Sequence, residues 1–209
     1  MEQKPARVRI LDAAHELMLT VGLARATTKE IARAAGCSEA ALYKYFPSKE
    51  ELFVHVLAER LPQLVPLLGE LTVEPGRGTL EENLTRIARQ AALFYEESFP
   101  IAASLYAERQ LKRKLDDKLR TIGAGPHVPI EALDAYLRAE QTAGRIRPDA
   151  DTSAAAVLLL GACVQRVFAY DATPTGERPP VDQFAARLAR TLLGGLSVAE
   201  ERARPAAGA

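Results

Sequence analysis

Between Gly36 and Pro47 the sequence leaves room for one helix of about two turns and nothing longer. The stretch reads GCSEAALYKYFPSKEEL over residues 36 to 52. Ser38 can cap the start of that helix by accepting from a free backbone N–H. Leu42 and Phe46 lie four positions apart and share one face. Pro47 disfavours helical backbone at Phe46, so the helix has to stop there. Ser48 and Glu51 then have the spacing of a capping box and start the next helix. So small a helix, with Tyr43, Lys44 and Tyr45 outside, cannot hold itself up and needs supporting elements.

The support lies upstream. Val8, Leu11, Ala14, Met18 and Val21 recur at three- and four-residue spacing, widened by Ile10 and Leu17, and Gly22 is a suitable stop. TTKEIARAAG follows, with Thr27 and Glu30 in capping-box spacing, Ile31 and Ala35 as a short apolar face, and Gly36 as its end. A long helix behind two short ones joined at a glycine turn is the helix-turn-helix pattern. At about 100° per residue, turning Leu42 and Phe46 inward sends Ala40 and Lys44 outward, flanked by Ala41 and Tyr43. Small residues on that face let a helix sit deep in the DNA major groove, and Lys44 offers a donor to a base edge or phosphate. Tyr43 and Tyr45 are stiff, hydroxyl-tipped side chains suited to phosphates. Glycine-turn helix pairs with an exposed lysine also occur in proteins that bind no DNA, so the pattern alone leaves both readings open.

The rest of the chain keeps the helical period. A helix starting near residue 49 carries Pro62 and Pro66, which should kink or break it. TVEPGRG at 72 to 78 reads as a linker. Helical spacing resumes over about 79–97, 100–121 with a break, 127–143, 151–171 and 180–201. No β alternation and no internal repeat intervene. The expected fold is all-α: a three-helix DNA-binding domain over 1–48, then a helical bundle over 49–203. Residues 49–71 would form the connecting helix, and 204–209 a disordered tail.

Charge adds a weak hint. Lys+Arg and Asp+Glu balance at 27 each, but residues 1 to 49 hold eight basic and five acidic side chains. Balance over the whole chain argues against nonspecific coating of DNA. Cys37 and Cys163 make no disulfide framework, and His15, His55 and His127 are scattered, so no metal site is expected. MEQKPARVRI lacks the apolar stretch of a secretion signal, and AAAVLLLGACV at 154–164 is shorter than the roughly 18 residues of a spanning helix. The expectation is a cytoplasmic chain with no membrane partner.

TTKEIARAAGCSEAALYKYFPSKEELF resembles the DNA-binding segment of the TetR family of bacterial transcriptional regulators. The shared pattern is Thr-Thr, Ile-Ala, Ala-Gly, Ser, Leu-Tyr-x-Tyr-Phe and Ser-Lys-Glu-x-Leu at matching spacing, and the likeness runs over about residues 6 to 55. The resemblance implies that Thr28 and Lys29 touch DNA from the second helix. Glu39, Ala41 and Lys44 would meet base edges, with Ser38 and Ala40 on the same surface, and Tyr43, Tyr45 and Lys49 would meet phosphates. Cys37 stands where the family usually has an aliphatic residue; a small buried hydrophobe is the expectation over a redox switch. Glu39 can accept from cytosine N4 but repels phosphate.

The resemblance also implies a homodimer built on the last two helices, where Ala155, Gly161, Ala162, Gly194 and Gly195 would allow close approach. GRIRPDAD resembles the family's lead-in to that region. An effector pocket would lie in the bundle, with Phe94, Phe99, Tyr106, Tyr136 and Phe168 as the available aromatic lining. The implied function is a repressor released from a palindromic operator in double-stranded DNA by a small-molecule effector, with no cofactor. A helical small-molecule-binding protein or enzyme, using the first helices as an interaction module, is the alternative. No activated serine, Cys-His pair or phosphate-cradling glycine loop supports catalysis.

Overall fold

A computed structural model describes residues 4–170 and 177–194. Gly195 and the tail at 204–209 therefore lie outside the described residues, as does the end of the last expected helix. Among the described residues the chain forms ten α-helices and one 3-10 turn: α1 Ala6–Arg25, α2 Thr28–Ala34, α3 Glu39–Tyr45, α4 Lys49–Glu59, α5 Leu64–Val73, α6 Leu80–Ala103, the turn Ser104–Tyr106, α7 Arg109–Thr121, α8 Val128–Thr142, α9 Thr152–Tyr170 and α10 Val181–Gly194.

The helix boundaries follow local chemistry. Thr27 and Glu30 close a full capping box at α2, as do Thr79 and Glu82 at α6. Ser48 accepts from the Glu51 N–H at 3.1 Å, but the reciprocal half of the expected box is missing. The Glu51 carboxylate instead takes a hydrogen bond from Lys118 of α7 at 2.8 Å. Gly22 stops the regular helix with positive φ (79, ψ 158), and a separate short turn continues to Arg25 within the span of α1.

Two cores divide the molecule. The first gathers Ile10, Leu11, Met18, Ile31, Leu42, Phe46, Leu52, Phe53 and Val56, together with Ile101, Leu105 and Leu115 from beyond α5. The second gathers Leu68, Leu84, Ile87, Leu133, Tyr136, Leu159 and Cys163 with their neighbours. Phe94 packs against both. The expected connecting helix over 49–71 is two helices, α4 and α5, bent by 50° at the Arg60–Gln63 break. Pro62 lies in the break, while Pro66 is tolerated in the first turn of α5, where its missing N–H has no partner to lose. Packing thus places α4 with the N-terminal core and α5 with the second. Pro100 sits inside α6 rather than opening a new helix.

The end of α6 is seated in the first domain. Ile101 and Leu105 are buried there, and Ser104 Oγ accepts from the Ala24 N–H at 3.0 Å. In the second domain, the loop after α5 is tied to the end of α8. Glu140, with 0% of its side chain exposed, takes hydrogen bonds from Arg145 at 2.6 and 2.7 Å, and Arg145 donates to the Gly78 carbonyl at 2.6 Å. Burial pushes the Glu140 carboxyl up, but Arg145, Tyr136 and the Gly76 N–H together hold it below the usual range.

Candidate nucleic-acid interface

α3 meets the terms its sequence sets. Ser38 accepts from the Ala41 N–H at 3.1 Å, and Phe46 leaves the helix with extended backbone, φ −136, ahead of Pro47. Leu42 and Phe46 are fully buried. Their fixing turns Ala40, Tyr43, Lys44 and Tyr45 to solvent, with Ser38 exposed beside them and Ala41 partly so. Gly36 makes the turn at φ +67, a conformation that costs a side-chain-bearing residue. Cys37 is half-buried against the first core, in keeping with a small hydrophobe.

α2 and α3 are locked together on this surface. Thr28 Oγ1 donates to Glu39 Oε1 at 2.5 Å and lies 3.3 Å from the Tyr43 hydroxyl. Because a threonine hydroxyl has one proton to give, Tyr43 must donate in turn to Thr28. Glu39 is thereby held at the first turn of α3, where a carboxylate favours the helix N-terminus. Lys29 is exposed on α2.

Lys49 is placed differently from the other basic residues. Its Nζ donates to the Ala24 carbonyl at 3.0 Å, satisfying a free carbonyl at the end of α1. Burial pushes its ammonium pKa down, opposed by Glu50 and Glu108. This bond uses one of the three ammonium N–H donors and leaves two for another acceptor.

The scaffold under α3 carries links that periodicity could not reveal. Arg9 Nε donates to the Ala35 carbonyl at 3.0 Å and fixes the end of α2 to α1. Arg7 donates to both Glu59 oxygens, at 2.5 and 2.8 Å, and His55 lies 3.0 Å from the same carboxylate. The Arg7 hydrogen bond is the main reason that the Glu59 carboxyl is drawn down to about 2. A depressed carboxyl pKa stabilises the fold above its unfolded value of 4.5, and that contribution fades as pH falls toward about 2. Acid titration should therefore loosen α1 from α4. Thermal melts of a Glu59→Gln chain should lose part of the drop seen for the parent over that window.

The expected effector aromatics do not meet around one cavity. Tyr136 is fully buried in the second core, Phe94 lies between the cores, and Tyr106 is 73% exposed. Phe99 and Phe168 pair edge to face with centroids 4.4 Å apart. An open groove of about 610 Å³ lies over the start of α6, lined by Thr79, Glu81, Glu82, Thr85, Arg86 and Arg89. It contains none of the five aromatics.

On the expected dimer helices, Gly161 and Gly194 are exposed and Ala155 and Ala162 half-buried. The larger side chains there escaped the sequence reading. Val157, Leu158, Phe168 and Leu193 are exposed, Leu158 by 64%. Ala154, Leu158, Gly161, Gln165 and Phe168 recur at three- and four-residue spacing on α9, a period that would have marked this face. α9 is long and apolar enough by composition to cross a membrane, yet its inner face packs on α6, α8 and α10 and buries Arg166.

Residues 10–56 match the family model described as bacterial regulatory proteins, tetR family. The chain is 25% identical over 162 residues to the fatty acid metabolism regulator protein of Bacillus subtilis (strain 168), covering 77% of this chain and 80% of that one. The TetR family transcriptional regulator PfmR of Thermus thermophilus superposes with a TM-score of 0.67 at 25% identity, covering 91% of this chain and 100% of that one. The regulator FadR of Bacillus subtilis, solved in complex with stearoyl-CoA, superposes with a TM-score of 0.66 at 19% identity over 91% of this chain and 99% of that one.

Proposed function

We propose that this chain, whose residues 10–56 match the tetR family of bacterial regulatory proteins, represses transcription as a ligand-released homodimer on a palindromic operator. The observation that carries the reading is the outer face of α3. Ala40, Tyr43, Lys44 and Tyr45 face solvent because Leu42 and Phe46 are buried beneath them. Lys44 reaches a base edge, and Tyr43, Tyr45 and Lys29 take phosphates. Thr28 and Glu39, already joined, set the orientation of Tyr43 and leave the Glu39 carboxylate able to accept from cytosine. Lys49 uses one donor on the Ala24 carbonyl at the end of α1 and takes a phosphate with another.

The exposed apolar stripe of α9, continued by Leu193 on α10, is what a second copy covers. In such a pair the two α3 helices enter successive major grooves about 34–36 Å apart. The stearoyl-CoA complex of the Bacillus subtilis regulator makes fatty acyl compounds the first effectors to try.

Genomic fragments selected by the purified protein should share a palindrome, and sedimentation should give a two-chain species on it. Lys44→Ala should cost about 1–3 kcal/mol on that site and relax the preference at one base pair in each half. Equal retardation of operator and bulk DNA would sink the reading. A protein that binds no DNA but turns over a ligand carried through purification would instead favour an enzyme with a borrowed interaction module.

A further inference from the structure

α7 carries six basic side chains against two acidic ones, in a chain that holds 27 of each sign. Leu111, Leu115 and Leu119, four positions apart, fasten it to the first core, with Leu115 buried. At about 100° per residue, that anchoring turns Arg109 and Arg113 to the outer face, where both are exposed. Three of the six basic residues have partners. Lys112 donates to Asp116 at 2.6 Å, Lys118 donates to Glu51 at 2.8 Å, and Arg120 lies 3.5 Å from Asp117. Among the described residues, Arg109, Arg113 and Lys114 have no hydrogen bond or ion pair.

The unpaired arginines do nothing for their own helix. Arg109 is its first residue and no acidic residue stands in its first turn, so a cation meets the positive end of the helix dipole. Arg109 and Arg113 are also four apart, a like-charge spacing that opposes the helix. Their place in the fold supplies a reason for them. The turn that leads into α7 is fixed to the end of α1, because Ser104 accepts from the Ala24 N–H at 3.0 Å. Lys49, at the start of α4, donates to the carbonyl of the same Ala24. Thr28 and Lys29 of α2 follow within five residues. Glu108, just ahead of Arg109, is close enough to Lys49 for its charge to favour the ammonium, as does Glu50. Through Glu51, Lys118 reaches the first turn of α4 as well. α7 therefore lies beside the helix starts that carry Lys29 and Lys49.

We propose that α7 extends the DNA-binding surface beyond the helix-turn-helix, with Arg109 and Arg113 contacting backbone phosphates of the duplex next to those met by Lys29 and Lys49. This rests on the regulator reading above and adds to it a second contact region, from outside the first four helices. A guanidinium fork suits phosphate oxygens, and a phosphate contact holds the protein on the duplex without reading its sequence. Neutrality of the whole chain does not oppose this, because at about 0.1 M salt charges act over roughly 10 Å, and the local excess on α7 decides the field there. The surface thus adds affinity, and leaves the choice of bases to α3.

The test measures operator affinity of the full-length protein from about 50 to 200 mM salt, for the parent and for Arg109→Gln with Arg113→Gln. Each phosphate contact adds a slope of about 0.9 in log affinity against log salt, so the parent should lose about tenfold more affinity than the double variant over that range. Arg113→Gln alone should give about half of the slope change. Base preferences in the selected sites should stay as they are, and the melting temperature should not fall. Arg86→Gln with Arg89→Gln removes two exposed charges from the other end of α6 and should keep the parent's slope. Equal flattening by both double variants would mean that total charge, not α7, sets the slope, and overturns the proposal. An unchanged slope in the α7 variant, with the operator still bound, overturns it while the regulator reading stands. Binding to phosphatidylglycerol vesicles that is lost in the α7 variant, with its DNA slope unchanged, assigns these charges to a lipid surface and overturns it too. No operator complex with the parent at any salt overturns the regulator reading, and this proposal with it.

Discussion

Arg145→Met should lower unfolding stability by about 3–5 kcal/mol, because it leaves the Glu140 carboxylate buried without its ion-pair partner. Glu140 has no exposure through which to recover water, and Tyr136 and the Gly76 N–H cannot replace a guanidinium. The loss should appear in urea as a lower midpoint with little change in slope. Its pH dependence has a definite sign. In the parent the Glu140 carboxyl sits below its ordinary 4.5, so its contribution holds above that pH and is lost on acidification. In the variant the carboxyl is buried and unpaired, so protonation relieves it, and the gap between the two proteins should narrow as pH falls. Adding Glu140→Gln to the variant should recover part of the loss, and a double-mutant cycle isolates the pair.

Gly22→Ala should be the most disruptive single methyl in the molecule. The backbone at φ 79 and ψ 158 belongs to glycine, and an added Cβ would lie 2.7 Å from Ser104 Cβ and 2.9 Å from its Oγ. Backbone strain and overpacking each cost about 1–3 kcal/mol. The methyl cannot be accommodated by swinging a long side chain aside, because Ser104 is itself held by the Ala24 N–H and the Ile101 carbonyl. The substitution should therefore push the end of α6 away from α1. Thermal melts should show the loss, and operator affinity should fall in parallel. Adding Ser104→Gly should restore the packing share and leave the backbone share, so complete rescue or none would rule out this division of the cost.

The sequence made the DNA-binding half readable because its signals are local. Capping residues, a turn glycine and a Phe-Pro stop act within a few positions, and Thr27, Ser38 and Phe46 all behave as their neighbours require. What escaped was long-range pairing. Nothing near Lys49 announces that it will reach the Ala24 carbonyl, or near Glu51 that its carboxylate will go to Lys118 and not back to its own helix cap. On α9 the small residues drew the expected dimer contact, whereas Val157, Leu158 and Phe168 make the larger exposed surface. Arg166 was hidden for a related reason, since one arginine in an apolar helix carries no sign of which side it faces. The aromatics expected to line a pocket share only a residue type, so the sequence could not tell that Phe99 would pair with Phe168, that Phe94 and Tyr136 would pack in the second core, or that Tyr106 would face solvent.

Phe94 gives the two halves a shared fate. Its side chain is packed against both hydrophobic cores, about two helical turns before Ile101 carries α6 into the first. A side chain common to two cores cannot lose its contacts in one without loosening the other. The bend between α4 and α5 separates the cores along the chain, yet melting of either domain removes a wall of its neighbour. The molecule is thus divided in its architecture but joined in its cooperativity, by packing that neither half can keep alone.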